Sequence, residues 1–381
     1  MGNETANLDR ILHQVNRPAR YTGGEWNSLT KDWDKTPIRF ALIYPDLYEI
    51  GMSNMALPIL YEILNCQPDV LAERCFAPWP DMESLMRAEG VPLFSLESKR
   101  PLSDFDVIGF SLGYELTYTN VLNMLDLAGV PVTAAERDDS APLVIAGGSG
   151  ALNPEPMSDF IDFFIIGDGE EVLTELLDNL RRWKGQAKAV PREKRLRQAA
   201  AIPGIYVPRF YQAEYEADGR VKSLTPTVPE ASPVIQRRIL GELPPPVTRP
   251  VVPYMAVIHD RAAIEIQRGC SHGCRFCQAG IIYRPVRERP RQEVMEAAEQ
   301  LIGNCGYSEV SLVSLSTSDY SQIGEVVAGL SRDHQNLALS LPSLYIDSFS
   351  VELLDSLRSH KKTGLTFAPE AGSDRLRRSI N

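Results

Sequence analysis

Apolar residues along this chain gather into short runs that alternate with amphipathic stretches. Residues 38–44 are almost continuously apolar and end at Pro45, the pattern of a strand buried on both faces. A loop at 46–51 leads into an amphipathic stretch at 56–64. A helix is predicted at 81–88, a short strand at 92–96, a strand at 107–112 and a helix at 119–127 closed by Gly129. Residues 143–146 form a strand running into Gly147-Gly148. Residues 163–166 form another, ending at Gly167-Asp168-Gly169-Glu170-Glu171, which opens a helix to about Trp183. Strands alternating with helices predict a parallel sheet with crossovers, a doubly wound α/β domain that takes ligands at the carboxyl ends of its strands. Ahead of it, 7–15 reads as a short helix and 19–34 as an irregular lead-in.

The pattern changes after residue 185. Residues 188–197 are basic and polar, 205–211 read as a strand, and Asp218-Gly219 marks a hairpin turn. Prolines then accumulate at 226, 229, 233, 244–246, 250 and 253, which predicts a stiff extended connector. From residue 261 the alternation restarts. Strands are expected at 262–267, 309–315, 337–341 and 365–368, and helices at 292–302, 323–330 and 351–357. Polar residues cluster just after each strand, the active-site end of βα barrels. The predicted organisation is a lead-in (1–35), a Rossmann-like domain (36–185), a proline-rich connector with a short hairpin (186–255) and four βα units of a partial barrel (256–381). The chain stops at Ser379-Ile380-Asn381, within the fourth helix, which reads as a fragment or truncated frame.

Charge and composition narrow the class. The net charge is −11, carried by the first 240 residues (24 Lys+Arg against 34 Asp+Glu), whereas 241–381 are nearly neutral (15 against 16). An acidic front half argues against non-specific nucleic-acid binding there. A basic stretch, Arg284, Arg287, Arg289 and Arg291, is expected on a solvated loop-to-helix surface. No apolar run approaches the ~18 residues of a membrane span, and the polar N-terminus lacks a signal-peptide core, so a cytoplasmic location is expected. Cys66, Cys75 and Cys305 are scattered and read as small hydrophobes.

The other three of the six cysteines fall together in Arg268-Gly269-Cys270-Ser271-His272-Gly273-Cys274-Arg275-Phe276-Cys277. The spacing Cys-x3-Cys-x2-Cys can turn three soft thiolates toward one point, which suits an iron–sulfur cluster or zinc. Structural zinc wants four ligands, usually as two separated pairs, and no second pair exists here. His272 is a possible fourth ligand but is expected to be a solvated loop residue. No side chain stands out as a general acid or base.

The motif, placed after a predicted strand, resembles the signature of the radical S-adenosylmethionine (SAM) superfamily. That resemblance implies a [4Fe–4S] cluster on Cys270, Cys274 and Cys277, whose open iron chelates SAM. It implies reductive cleavage of SAM to a 5′-deoxyadenosyl radical, and a reducing donor such as flavodoxin or ferredoxin. Phe276 would pack near the adenine. Ser314, Ser316, Thr317, Ser343 and Glu370, at the ends of the second, third and fourth strands, are the implied SAM contacts. At the second strand's end the family often has Gly-Gly-Glu, where this chain has Leu315-Ser316-Thr317-Ser318; helix capping is the competing role for 316–319.

Residues 36–185 resemble the cobalamin-binding domain that precedes many radical SAM modules, and the whole chain resembles bacterial proteins joining the two. The implied cobalamin residues are Asp46, Tyr48, Gly51, Ser111, Leu112, Gly147, Gly148, Gly167, Gly169 and Glu170. Tyr48 occupies the place of the cobalt-ligating histidine in that family, which implies no histidine on the lower face. The function implied is radical modification, such as methylation, of a substrate the sequence does not name. The alternatives are an RNA methylthiotransferase, disfavoured because the front half offers only Cys66 and Cys75 for a second cluster, and a non-catalytic iron–sulfur redox or scaffold protein.

Overall fold

The computed structural model describes residues 2–334, 336–348 and 365–381, which divide into two compact units. One comprises Met1–Ile239 with Pro253–Ile258; the other comprises Leu240–Val252 with His259–Asn381.

The first unit is built on a six-stranded sheet. Its strands are β1 (Ile38–Tyr44), β2 (Val70–Phe76), β3 (Val107–Ser111), β4 (Leu143–Gly147), β5 (Phe163–Ile165) and β6 (Ile205–Tyr206), in the order β2-β1-β3-β4-β5-β6. β1 to β5 are parallel and β6 is antiparallel to β5. The unit is the doubly wound α/β fold that the alternation predicts. The strand order reverses between β1 and β3, and that switch point is where such sheets open a crevice for ligands.

β2 is not among the strands the apolar pattern predicts, although all seven of its residues are buried. Glu73 and Arg74 interrupt its apolar run, and both are paired inside the fold. Arg74 Nη2 donates to Glu25 Oε2 at 2.8 Å, and its Nε donates to Glu97 Oε1 at 2.6 Å. Glu73 accepts from Ser95 Oγ and Ser98 Oγ. Conversely, the strand predicted at 92–96 reduces to one bridge, Phe94 with Pro101.

The connector is also more structured than its composition suggests. The basic stretch forms a helix, Arg192–Ala200, anchored by the buried Arg192 guanidinium on Asp162 and the carbonyls of Ala141 and Pro142. The strand expected at 205–211 divides into β6 and a 3-10 turn at Pro208–Phe210. After the turn, β7 (Tyr211–Tyr215) and β8 (Val221–Pro226) make the hairpin that the Asp-Gly turn predicts.

In the second unit, β9 (Ala262–Glu265) leads into β10 (Gln267–Arg268), which pairs antiparallel with β11 (Arg287–Glu288). β9, β12 (Glu309–Val313) and β13 (Ala338–Ser340) lie side by side, parallel and in chain order, as at the start of a βα barrel. Helices Arg291–Cys305 and Ile323–Asp333 bury Val294, Ala297, Ala298, Leu301, Val326, Val327 and Leu330 with the sheet's Ile264, Val310, Leu312 and Leu339. The predicted fourth strand reduces to a single bridge between Leu344 and Phe367; 365–368 are largely exposed, so burial does not fix them as a strand. The helix predicted at 351–357 lies outside the described residues. Helix Asp374–Ile380 is N-capped by Ser373, whose Oγ accepts from Leu376 N at 3.3 Å.

Candidate functional site

The pairing of β10 with β11 pinches off the loop 269–286. Its neck closes on Gly269, at φ +90°, where a Cβ would lie 2.4 Å from the Pro285 carbonyl oxygen and 2.6 Å from that of Tyr283. Only glycine fits there. Gly273, at φ +67°, turns the chain between Cys270 and Cys274. Cys277 N donates to the Cys274 carbonyl at 3.0 Å. The three thiols are free and half-buried. Gly280 N–H points at Cys277 Sγ, 3.4 Å away. Burial first, then the charges of Cys270 and Cys277, then Glu370 push the Cys274 thiol up. These groups therefore share one electrostatic neighbourhood, in which bound cations would relieve mutual repulsion.

Among the described residues no three His, Cys, Asp or Glu side chains are arranged to hold a metal ion. The fit to a multi-iron cluster therefore rests on donor chemistry: three adjacent soft thiols on one glycine-hinged loop, with a backbone N–H already directed at one sulfur.

The rest of the loop departs from expectation in two places. Arg287 and Arg289 are buried, not solvated: Arg287 donates to the carbonyls of Leu240, Tyr283 and Pro285, and Arg289 to that of Glu265 and to Glu293. Arg284 and Arg291 are exposed. His272 is not a solvated loop residue either. Its Nε2 pairs with Asp319 Oδ2, and its ring lies on Tyr345 with centroids 3.9 Å apart. Burial would raise the Asp319 carboxyl, but hydrogen bonds from Ser316, Ser348 and His272 outweigh it and hold it below its ordinary range.

The hydroxyl run after β12 turns inward. Ser314, Ser316, Thr317 and Ser318 are all buried, Thr317 completely. Ser314 Oγ accepts from Ser316 N at 3.1 Å, and Ser316 Oγ donates to Asp319. Thr317 N donates to the Ser343 carbonyl at 3.0 Å, and Ser318 Oγ accepts from Tyr345 N at 2.9 Å. These bonds tie the end of β12 to the segment after β13. None of them caps a helix. Phe276 is 57% exposed on the cysteine loop. Ser343 and Glu370 are exposed and hold the left-handed backbone conformation, at φ 58° and 62°.

In the first unit the predicted cobalamin residues separate into three groups. Asp46, Ser111, Gly147 and Gly148 lie at the carboxyl ends of β1, β3 and β4, beside the switch point. Asp46 Oδ2 accepts from Tyr114 Oη at 3.1 Å, and Ser149 Oγ donates to the Gly113 carbonyl at 2.6 Å. Gly113 and Gly148 are exposed, Gly147 has no neighbour closer than 3.8 Å to a would-be Cβ, and Tyr114 and Leu116 stand exposed nearby in sequence. The edge is therefore open and short of side chains, which fits a flat macrocycle.

The second group is buried. Tyr48 is 1% exposed, donates its hydroxyl to Glu25 Oε1 at 3.0 Å and packs edge-on against Phe76. Gly51 lies under the same Phe76 ring, and Leu112 is fully buried. The third group, Gly167, Gly169 and Glu170, sits at the end of β5. There a Cβ on Gly167 would lie 2.2 Å from the Arg238 carbonyl oxygen, so connector backbone covers that position.

The chain is an α/β protein in which a doubly wound parallel domain is followed by parallel βα units whose first strand runs into a three-cysteine loop. Residues 56–208 match the family described as radical SAM proteins, N-terminal, and residues 264–381 match the radical SAM superfamily, so the chain carries radical SAM domains of both kinds. It is 26% identical over 350 residues to the uncharacterized protein MJ0966 of Methanocaldococcus jannaschii, covering 89% of this chain and 62% of that protein. It is 36% identical over 62 residues to the threonylcarbamoyladenosine tRNA methylthiotransferase MtaB of Bacillus subtilis, covering 16% of this chain and 14% of that protein. Among solved structures it is similar to the radical S-adenosylmethionine methyltransferase TsrM from Kitasatospora setae with cobalamin and [4Fe–4S] cluster bound. That match has 15% identity and a TM-score of 0.49, over 84% of this chain and 58% of that one. The chain thus spans less than two thirds of the length of these relatives. Among the described residues no helix is long and apolar enough to cross a membrane.

Proposed function

We propose that this protein is a radical SAM enzyme that uses a [4Fe–4S] cluster and SAM, with cobalamin in its first unit, to modify an unactivated carbon, for example by methylation. The carrying observation is the pinched, glycine-hinged loop that carries Cys270, Cys274 and Cys277 after the first strand of the second unit. When bound there, the cluster supplies the electron that cleaves SAM to a 5′-deoxyadenosyl radical. The chain's own contribution is placement and exclusion of water. Cys270, Cys274 and Cys277 hold the cluster. Phe276, exposed on the same loop, offers an aromatic face for the adenine, and Ser343 and Glu370 offer exposed polar groups for SAM. Ser314, Ser316 and Thr317 serve the same site indirectly, because their hydroxyls are committed to the turn after β12.

Cobalamin is assigned to the open edge at Asp46, Ser111, Gly147 and Gly148. Tyr48 would take no part in holding it, since its hydroxyl is held in the core by Glu25. A small acidic reductant of the flavodoxin or ferredoxin kind is the expected electron donor. The methylthiotransferase reading is not favoured: Cys75, one of two thiols it could recruit in the front unit, is fully buried in the core.

Anaerobic reconstitution with iron and sulfide, followed by an assay for 5′-deoxyadenosine with SAM and dithionite, tests the reading. About four irons per chain and SAM-dependent product are expected. One zinc bound with iron refused would end it.

A further inference from the structure

The cysteine loop makes a contact that cluster ligation does not require. His272, inside the Cys-x3-Cys interval, reaches across to Asp319 in the 3-10 turn after β12 and stacks on Tyr345 after β13. Asp319 is itself held by Ser316 Oγ. Tyr345 is held through its amide by Ser318 Oγ, at 2.9 Å. Both His272 and Asp319 are about three-quarters buried, with side-chain exposures of 24% and 25%. The three residues come from three successive strand ends of one unit, and both partners are held by hydroxyls of the turn after β12.

We infer that His272 is a positioning residue for SAM: through Asp319 and Tyr345 it locks the loop of Cys270, Cys274 and Cys277 in register with the polar ends of β12 and β13. This inference rests on the cluster-and-SAM reading above. Besides its Gly269 neck, the loop is tied to the C-terminal helix, where Arg275 N donates to the Ile380 carbonyl and Asn381 Nδ2 to the His272 carbonyl, and neither tie reaches the ends of β12 and β13. SAM must bridge the cluster and the strand ends, so any sway of the loop misplaces one half of its site relative to the other. The His272–Asp319 contact opposes that sway by fixing the Cys270–Cys274 interval to the turn after β12. It acts on the relative position of two half-sites and not on the number of thiols.

The test uses His272→Ala, Asp319→Ala, the double variant, and His272→Gln, which keeps an N–H able to donate to Asp319. Iron content should stay at the wild-type level in all four. KM for SAM should rise about tenfold in either alanine variant, the low end for a charge-assisted hydrogen bond partly open to water. The double variant should lose less than the sum of the two singles, since the His272–Asp319 link is broken in each. His272→Gln should recover most of the loss. The change that SAM induces in the electron paramagnetic resonance spectrum of the reduced cluster should broaden or vanish in the alanine variants while the SAM-free spectrum stays unchanged. Hydrogen exchange in the unloaded protein gives a readout independent of the cluster: amides of the 269–283 loop should exchange faster in both His272→Ala and Asp319→Ala. Additive losses, or an unchanged KM and spectrum in His272→Ala with its iron retained, would overturn the inference. Equal loop exchange in wild type and variants would overturn it too. If wild-type protein takes no cluster, the functional reading fails separately, and the exchange comparison still decides whether the lock exists.

Discussion

Arg74→Met probes the least expected feature of the fold, a guanidinium with 2% of its side chain exposed in an edge strand. Arg74 Nη2 and Nε meet Glu25 and Glu97 at 2.8 and 2.6 Å, and its backbone N–H also donates to Glu97 at 2.8 Å. Methionine fills most of the volume but removes the charge. Two carboxylates with side-chain exposures of 2% and 1% then share the half-buried Lys99 as the nearest remaining cation. Stranding one buried ionic partner typically costs about 3–5 kcal/mol, and the two carboxylates share one cation, so the costs do not simply add; about 4 kcal/mol is expected. The sign with pH is diagnostic. In the native protein burial pushes the Glu25 carboxyl up, but the charge and hydrogen bond of Arg74 outweigh it and hold it below the ordinary 4.5. Its contribution to stability is present above pH 4.5 and is lost as pH falls through the depressed folded value. In Arg74→Met burial acts without that offset, the folded value moves above the unfolded one, and the folded state gains stability as pH falls from 7 toward 5. Hydrogen-exchange protection of the β1 and β2 amides reads the opening of this sheet alone. The deficit should be near 4 kcal/mol at pH 7 and visibly smaller at pH 5. A cost below about 1 kcal/mol, or a deficit independent of pH, would show that the buried network is not what holds β2 in the sheet.

Three other outcomes follow from the same geometry. Cys274→Ala should leave the helical circular dichroism unchanged but abolish the visible absorbance of reconstituted protein; a retained chromophore would mean that other ligands hold the cluster. Tyr48→Phe should leave the spectrum of bound hydroxocobalamin unaltered, because the phenol faces Glu25, while costing about 1–2 kcal/mol of stability for the lost buried hydrogen bond; a changed cobalt spectrum would place Tyr48 at the metal. Burial lowers Lys99 to about 8, partly offset by Glu97 and Glu25, so the unfolded chain binds more protons between about 8 and 10.5 and stability should rise with pH across that window. Lys99→Met should flatten that rise in urea titrations at pH 7.5, 8.5 and 9.5; an identical slope in wild type and variant would show that the amine is not desolvated.

How far the sequence could be read depended on the sequence distance between partners. The cysteine loop was legible because its determinants are local: the thiol spacing, Gly269 at the neck and the strand before it. β1, β3, β4 and β5 were legible because a parallel strand buried on both faces carries a continuous apolar run. β2 was not, because its polar residues are satisfied by Glu25, Ser95, Glu97 and Ser98, which no periodicity links to Glu73 and Arg74. His272 was misread for the same reason: its partner Asp319 lies 47 residues on. The one available signal was an acidic residue at the end of the next strand's hydroxyl run. The basic stretch at 284–291 failed differently, since arginines donating to main-chain carbonyls look no different in sequence from solvated ones.

The strand-end rule locates a βα site but does not say which of its polar side chains remain available. After β12 the hydroxyls of Ser314, Ser316 and Thr317 all have nearby intrachain partners, so they stiffen the turn and lose access to a ligand. Ser343 and Glu370 differ in backbone, not in chemistry. Each is a non-glycine residue in the left-handed region, at φ 58° and 62°. That conformation costs of order 1–3 kcal/mol and persists only where the surrounding chain imposes it. Ser343 is held by Thr317 N on its carbonyl, so its side chain stays outside the network that its own main chain completes. The Thr317 hydroxyl also donates to the carbonyl of the preceding Pro342, so a buried hydroxyl helps keep the exposed one in its strained turn. Substituting Thr317 should therefore disturb Ser343, and with it the SAM site proposed above, although the Thr317 hydroxyl itself is turned inward.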